Sequence, residues 1–202
     1  MSRLYWIGIT AWILSIVPLL YEPIAIAASP VPYNPMLQPM SDLGVTVCKE
    51  NAYPLVHSLM ICSPHHVIVN ALFTLSGVAY VVGALALRRF VSERLPFVLL
   101  MLFAIGAIIS GLVPADVNFV AHTIPALTMF FVPIVIGFYA KRVRVAKVWN
   151  WSIFWMMILI FVGMMLTVFF PIGGLLQRSF YALVAVWGVG FKVFLRRKQG
   201  NQ

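Results

Sequence analysis

The sequence is poor in charge. Of its 202 residues, 9% are Asp, Glu, Lys or Arg, and only five are acids. Hydrophobic residues account for 62% of the chain, and the mean hydropathy is +1.00. Because the apolar share of a water-soluble globular protein lies near one half, this composition excludes that class and predicts an integral membrane protein.

Short motifs of nucleotide-dependent and metal-dependent enzymes are also missing. The chain has no glycine-rich phosphate loop and no His-Glu-x-x-His pair. We therefore predict no cofactor, and a divalent metal enters only as one alternative below. The net charge of +9 does not predict nucleic-acid binding, because the basic residues flank apolar runs, where they match anionic lipid headgroups.

Six apolar stretches come close to the length needed to cross the bilayer, since about 20 helical residues span roughly 30 Å of hydrocarbon. They cover residues 4–28, 67–87, 95–115, 117–140, 148–170 and 179–195. The sequence thus predicts an all-α, six-helix transmembrane bundle, with residues 1–202 as a single integral-membrane domain. Lys192 lies in the last stretch, and we expect its long side chain to carry the ammonium to the lipid surface.

The basic residues predict the orientation, because Lys and Arg accumulate in short cytoplasmic loops. With the N-terminus inside, twelve of the 14 basic residues lie on the cytoplasmic side. They are Arg3, Arg88, Arg89, Arg94, Lys141, Arg142, Arg144, Lys147, Lys192, Arg196, Arg197 and Lys198. We therefore predict a multi-pass protein of the cell membrane with both termini cytoplasmic. All four histidines and four of the five acids then fall at the outer end, where we expect any chemistry.

One connection is long: residues 29–66 form a predicted extracytoplasmic loop between helices one and two. Prolines at positions 30, 32, 35 and 39 disfavour a helix in its first part, and its apolar second part predicts a cap over the bundle. The only cysteines, Cys48 and Cys62, lie in this loop. On the oxidising side of a membrane they favour a disulfide over two free thiols, which would stabilise the loop by about 3 kcal/mol.

The segment PMSDLGV, residues 39–45, places a hydroxyl, an acid and a glycine together in this loop. In the simplest interpretation, Ser41 or Asp42 caps a helix by accepting hydrogen bonds from the amides of its first turn. Gly44 would then allow a turn or a close backbone approach. This interpretation explains the residue types without a ligand.

Four fragments resemble a known family. They are Ser-Asp-Leu-Gly at 41–44, Gly-Leu-Val-Pro-Ala-Asp at 111–116, His122 at the start of the fourth helix, and Gly-Leu-Leu-Gln-Arg at 174–178. In this order they resemble the uncharacterised prokaryotic membrane family known as domain of unknown function 998. The resemblance implies six helices, with residues 174–178 in the turn before the last one, and it implies no established activity.

The matched residues converge on one end of the predicted bundle. Ser41 and Asp42 lie in the loop, and Asp116 follows the third helix. His122 opens the fourth helix and Arg178 opens the sixth. Ionisable groups near a membrane face a bundle interior or a wet cavity and are functional candidates, so we expect an outward-facing polar cluster.

One interpretation of this cluster is a membrane-embedded hydrolase or transferase acting on lipid or another amphiphile at the outer face. His122 would act as the general base toward Ser41. Alternatively, Asp42, Asp116 and His122 would hold a divalent metal that activates water. Arg178 would bind a phosphate or carboxylate. The spacing specifies neither arrangement.

The favoured interpretation is a structural, lipid-binding or accessory role. Asp42 would pair with Arg178, and Asp116 with His122 or with amides of the fourth helix, so that the loop is tied to the bundle. Six tryptophans and fifteen phenylalanines provide surface for membrane lipids and for partners in a membrane-protein complex. Transport is disfavoured, because we expect no charged residue and no broken helix at mid-membrane.

Overall fold

The computed structural model describes residues 3–54, 59–88, 93–168 and 172–200. In this part of the chain six helical segments are long and apolar enough to cross a membrane, which confirms the predicted six-helix bundle. They are Arg3–Ala27, His66–Arg88, Arg94–Leu112, Phe119–Arg142, Arg144–Met165 and Gly173–Arg196. The predicted end of the fifth span at residue 170, Arg89 and His57 lie outside the described residues.

The spans contain eight α-helices within the described residues. These are α1 (Arg3–Leu14), α2 (Val17–Ala27), α3 (His66–Arg88), α4 (Arg94–Leu112), α5 (Phe119–Ala126), α6 (Phe131–Arg142), α7 (Lys147–Met165) and α8 (Gly173–Gly200). Two short antiparallel strands, β1 (Lys49–Glu50) and β2 (Met60–Ile61), lie in the long loop, with Lys49 opposite Ile61.

The six spans form a closed ring. Each span packs on the next one along the chain, and α1 packs on α8. The short connections explain this order, because they hold consecutive helices antiparallel. The segment 29–65 is here called the cap; its described residues, 29–54 and 59–65, fold over one end of the ring and contact α2, α3 and α8. We call this the cap end and the opposite end, which carries most basic residues, the basic end.

Aromatic side chains fill the centre of the ring. Trp12 is fully buried between Gly83 of α3 and Gly188 of α8, where an added Cβ would lie 2.7 Å and 2.0 Å from indole atoms. The Trp12 and Trp187 rings lie 5.6 Å apart in an edge-on contact, and Trp187 stacks on Phe191 at 5.5 Å. Glycine at positions 83 and 188 therefore lets a large aromatic ring join the first span to its two neighbours.

Two spans are interrupted near their middle. α1 ends at Leu14 and α2 begins at Val17, because Pro18 has no amide hydrogen to continue the helical ladder. In the fourth span a 3-10 turn, Leu127–Phe130, separates α5 from α6. The expectation of unbroken helices at mid-membrane is therefore wrong. The two breaks thus remove one of the two grounds on which transport is disfavoured.

Lys192 does not reach the lipid surface, contrary to our expectation. Its side chain is fully buried between α8 and α1, and Nζ donates to the carbonyl oxygen of Leu4 at 3.1 Å. Gly8 leaves the room, since a Cβ there would lie 1.6 Å from Nζ. The long stem thus carries the ammonium to a backbone acceptor inside the protein.

The last span begins earlier than the sequence predicts. α8 starts at Gly173 instead of residue 179, so the segment 174–178 forms its first turns and not a preceding turn. The amides of Gly174 and Leu175 donate to the carbonyl oxygens of Leu37 and Met36 in the cap, at 3.2 and 3.0 Å. Cap carbonyls thereby satisfy the free amides that open a helix.

Candidate functional site

The Ser-Asp-Leu-Gly segment forms a 3-10 turn, Met40–Gly44, at the centre of the cap. Met40, Asp42, Leu43 and Gly44 are buried, while Ser41 is half-buried. No side chain caps this turn, so the simple capping interpretation of Ser41 and Asp42 is wrong. The segment is a buried junction between the cap and the ring.

Asp42 is a buried acid, 1% exposed, with neutral partners. The hydroxyl of Tyr53 donates to Oδ1, and Nε2 of Gln38 donates to Oδ2 at 3.3 Å. Burial raises the pKa of Asp42 to about 6, although both hydrogen bonds and the charge of Arg178 oppose this shift. Burial and the neighbouring Asp42 likewise raise the pKa of Tyr53 above its ordinary value.

Arg178 ties the first part of the cap to the ring, and we call this group the Arg178 latch. Its guanidinium forms a buried ion pair with Glu22 of α2, to which Nε donates at 2.7 Å. It also donates to the Tyr33 hydroxyl at 2.7 Å and to the carbonyl oxygens of Pro35 and Gln38 at 2.6 and 2.8 Å. The predicted direct pair of Asp42 with Arg178 is therefore wrong, because the partner is Glu22.

Gln38 connects Asp42 to the Arg178 latch. Its carbonyl oxygen accepts from Arg178, and its side-chain amide donates to Asp42. Gly174 makes the approach sterically feasible, because a Cβ there would lie 2.2 Å from the Gln38 carbonyl oxygen and 2.7 Å from a guanidinium nitrogen. Asp42 and Arg178 thus belong to one network with Gln38 between them.

Gly44 allows a close contact with α3. Nδ2 of Asn70 donates to the Gly44 carbonyl oxygen at 2.8 Å, and an added Cβ at Gly44 would lie 2.2 Å from Asn70 Oδ1. The glycine of the segment is therefore required by the approach of Asn70, in agreement with the predicted close approach.

Asp116 holds the second part of the cap. Its Oδ2 accepts hydrogen bonds from the amide and the hydroxyl of Thr46, at 3.0 and 2.6 Å. Oδ1 is buried and has no hydrogen-bond partner among the described residues. The predicted pairing of Asp116 with His122 or with amides of the fourth helix is wrong, since Asp116 binds Thr46 of the cap.

His122 is bound to the end of α4. Its Nδ1 lies 3.0 Å from the Ser110 carbonyl oxygen and 2.9 Å from that of Val113, and Ser110 Oγ donates to the His122 carbonyl at 2.9 Å. Carbonyl oxygens only accept hydrogen bonds, so Nδ1 carries the proton. The Nε2 atom is then the nitrogen available to a ligand.

The cap contains the predicted disulfide between Cys48 and Cys62. It lies beside the β1–β2 pair, and Ser29 Oγ donates to the Cys62 carbonyl at 3.0 Å. Val45, Ala52 and Ile61 form a small core under the pair. The second part of the cap is thus a stapled unit with its own apolar core.

A polar cavity of about 70 Å³ lies under the cap, inside the cap-end half of the ring. Ser15, Ser76, Ser110 and Thr128 line it from four different spans, together with Ser41 of the cap and His122 of α5. Tyr80 and Gln177 also line it. Both interrupted spans contribute at or beside their breaks, through Ser15 and Thr128. Since a cavity needs roughly 10–15 Å³ to admit one water, this one has room for several waters or a small head group.

In the structure the five predicted site residues fall into two groups. Ser41 and His122 line the cavity, whereas Asp42, Asp116 and Arg178 hold the cap. Across the described ranges no group of three His, Cys, Asp or Glu residues is placed to hold a metal ion. The predicted metal set of Asp42, Asp116 and His122 is therefore not brought together.

A family model described as "Protein of unknown function (DUF998)" matches residues 13–193. The chain belongs to the DUF998 family. The matched region contains the cavity, the Arg178 latch and all four fragments on which the resemblance was recognised. No curated protein and no solved structure matches the chain.

The cavity of this DUF998 protein was not predicted from the sequence, because the predicted site was built mainly from ionisable residues. The available signal was at least one serine or threonine in each of the first four apolar spans, among them Ser15, Ser76, Ser110 and Thr128. A single serine in a membrane helix commonly bonds to its own backbone, so no one of them predicts a site. Only the helix packing shows that they face one space.

Proposed function

We propose that this protein binds the polar head group of a membrane amphiphile in the cavity under the cap, with the apolar tail in the bilayer. The observation that carries the proposal is the set of hydroxyl residues from four spans that surround one space inside apolar helices. Polar groups at membrane depth are costly unless they are satisfied, and they typically mark binding sites.

The two interrupted spans support this function. Broken helices near the middle of a membrane protein commonly surround a binding site, where the freed backbone groups face a polar cavity. Here Ser15 lies in the break between α1 and α2, and Thr128 lies in the 3-10 turn after α5. Both residues line the cavity.

The packing of α5 supports access from the bilayer. None of its residues is buried, and its main helical neighbour is α4. Val120 and Ile124 of this helix are 60% and 62% exposed, so they present an apolar face to lipid. A loosely packed helix beside the cavity gives a tail room to pass between spans.

The proposed location is the cell membrane, with the cap outside and both termini cytoplasmic. The basic end of the ring carries most Lys and Arg residues, as cytoplasmic ends do. The disulfide in the cap agrees with an oxidising compartment. In this orientation the cavity binds lipid of the outer leaflet.

A second candidate is a hydrolase or transferase, favoured by the finding that Ser41 and His122 line the same cavity. The protonated Nδ1 of His122 leaves Nε2 as a base toward a hydroxyl. However, carbonyl oxygens orient this histidine where a hydrolytic triad uses a carboxylate. No hydrogen bond joins Ser41 to His122 within the described residues. Binding without turnover is therefore the first proposal.

Lipid extraction from purified protein tests the binding function. We expect the wild type to retain an amphiphile that is lost in Ala107→Phe, since Ala107 lines the cavity and the larger ring would fill it. Ala71→Phe is the matched control, because Ala71 lies on an exposed face of α3. Identical bound lipids in the wild type and both folded variants, judged by mass spectrometry, would contradict the proposal.

A further inference from the structure

We propose that the head group bound in this cavity is an uncharged polyol, such as the glycerol head of a monoacylglycerol, which donates hydrogen bonds to the wall. This inference rests on the binding function proposed above and specifies its ligand class. The ligand class follows from the side chains that line the cavity, because several of their hydrogen-bond donors already bond to protein atoms.

Four hydroxyl groups of the cavity have already committed their protons to backbone carbonyl oxygens. The bonds run from Ser15 to Trp12 (2.8 Å), from Ser76 to Ser15 (3.0 Å), from Ser110 to His122 (2.9 Å) and from Thr128 to Pro125 (2.6 Å). A hydroxyl has one proton and two lone pairs. Each of these groups therefore offers a ligand only an acceptor.

His122 adds a further acceptor. Its Nδ1 proton is shared between the carbonyl oxygens of Ser110 and Val113. In the neutral imidazole the other nitrogen, Nε2, has a lone pair and no proton. Like the four hydroxyl groups, His122 thus offers a ligand in the cavity a hydrogen-bond acceptor.

Fewer donors face the cavity. The hydroxyl of Tyr80 is buried and makes no hydrogen bond of normal geometry among the described residues. Oε1 of Gln177 accepts from the Met40 amide at 2.8 Å, which leaves its NH₂ group as a donor. The Ser41 hydroxyl is engaged by Tyr53, whereas the hydroxyl of Tyr181 can act in either sense. A complementary head group therefore donates more hydrogen bonds than it accepts.

The lining of the cavity disfavours charged head groups. Within the described chain, no residue that lines the cavity is an acid, a lysine or an arginine. A buried ammonium would have no counter-charge, which is strongly unfavourable in a membrane interior. A phosphate or carboxylate would face lone pairs. An uncharged polyol fits both the acceptors and the missing charge.

Paired ligands that differ only in their donors test this inference. We would measure displacement of labelled 1-monooleoylglycerol from the protein in phosphatidylcholine nanodiscs, where no sugar detergent competes. The competitors are unlabelled monooleoylglycerol, its 2,3-di-O-methyl ether and the anionic 1-oleoyl-glycerol 3-phosphate. We expect the dimethyl ether and the phosphate each to compete at least about tenfold less well than monooleoylglycerol, which corresponds to about 1.4 kcal/mol.

A pair of threonine variants locates the binding. Thr128→Val removes an acceptor of the cavity, and we expect it to weaken monooleoylglycerol binding several-fold. Thr167→Val is the matched control, because Thr167 Oγ1 donates to the carbonyl three residues earlier in the same way, at 2.7 Å, but does not line the cavity. We expect Thr167→Val to bind as the wild type does.

The outcomes separate the two proposals. Equal competition by the glycerol and its dimethyl ether, with weaker binding of both in Thr128→Val, would overturn the polyol inference and retain the binding function. Stronger competition by the phosphate would also overturn the polyol inference. No saturable binding, or binding that both threonine variants leave unchanged, would overturn the binding function as well. The ligand series needs only the wild type, so it remains decisive if Thr128→Val fails to fold.

Discussion

Arg178→Ala, in α8, is expected to destabilise the protein more than any single substitution in the cap. Arg178 and Glu22 are 12% and 7% exposed, so solvent screens their ion pair very little. Removing one partner of a buried pair leaves an uncompensated charge and typically costs about 3–5 kcal/mol. We expect a loss in this range, to which the unpaired carbonyl oxygens of Pro35 and Gln38 contribute.

The free energy of unfolding, measured by sodium dodecyl sulfate titration in mixed micelles, provides the assay. A double-mutant cycle of Arg178→Ala with Glu22→Gln should give a coupling of about 1.5 kcal/mol or more. The cycle of Arg178→Ala with Asp42→Asn should give a smaller value, because Gln38 separates these residues. Arg144→Ala, at an exposed position of the basic end, is the control and should change stability by about 0.5 kcal/mol or less.

Two results would refute the reasoning about the Arg178 latch. One is a loss below about 1 kcal/mol for Arg178→Ala, which is the size expected of an exposed pair. The other is a coupling of Arg178 to Asp42 that exceeds its coupling to Glu22. The second result would restore the direct pair that the sequence predicts.

Three further predictions concern the cap and the orientation. Because burial raises the pKa of Asp42 from 3.8 to about 6, the folded cap binds this proton more tightly than the unfolded chain. Stability should therefore be highest below about pH 4 and fall by up to about 3 kcal/mol toward pH 6; melting curves of Asp42→Asn should lack this slope, and a slope of the opposite sign would contradict the burial argument. Gly44→Ala should cost about 1–3 kcal/mol by breaking the Asn70 bond, whereas Gly173→Ala meets only an ordinary contact at 3.5 Å and should be neutral; equal effects in thermal unfolding would refute the steric role. On intact cells a membrane-impermeant maleimide should label Cys48, which is exposed, after reduction of the disulfide, but label Arg144→Cys only after permeabilisation; the reverse pattern would invert the proposed orientation.

Hydropathy was sufficient to predict the six spans, because each must bury its backbone polar groups inside an apolar helix of bilayer length. It did not locate the break in the first span. Pro18 and Pro23 both lack an amide hydrogen, yet Pro18 follows a break and Pro23 lies inside α2. The cost of a proline depends on whether neighbouring groups satisfy the freed carbonyl. That depends on tertiary packing.

The sequence predicts at which end of the bundle the candidate residues lie, but it does not predict which residues pair with them. The sequence places Asp42, Asp116, His122 and Arg178 near one end of the bundle, which the structure confirms. It does not determine how each helix is rotated around the ring, and this rotation selects Glu22 as the partner of Arg178. Pairing by charge and depth alone was therefore insufficient.

The most direct test of the central claim is photo-crosslinking with a monoacylglycerol that carries a diazirine on its head group. We expect labels on residues that line the cavity, such as Ser110 and Ala107. Excess monooleoylglycerol should displace these labels, and a variant whose cavity is filled should lose them. Labels spread over lipid-facing residues such as Val120 and Leu159, which are 60% and 70% exposed, and unaffected by the competitor would contradict the claim.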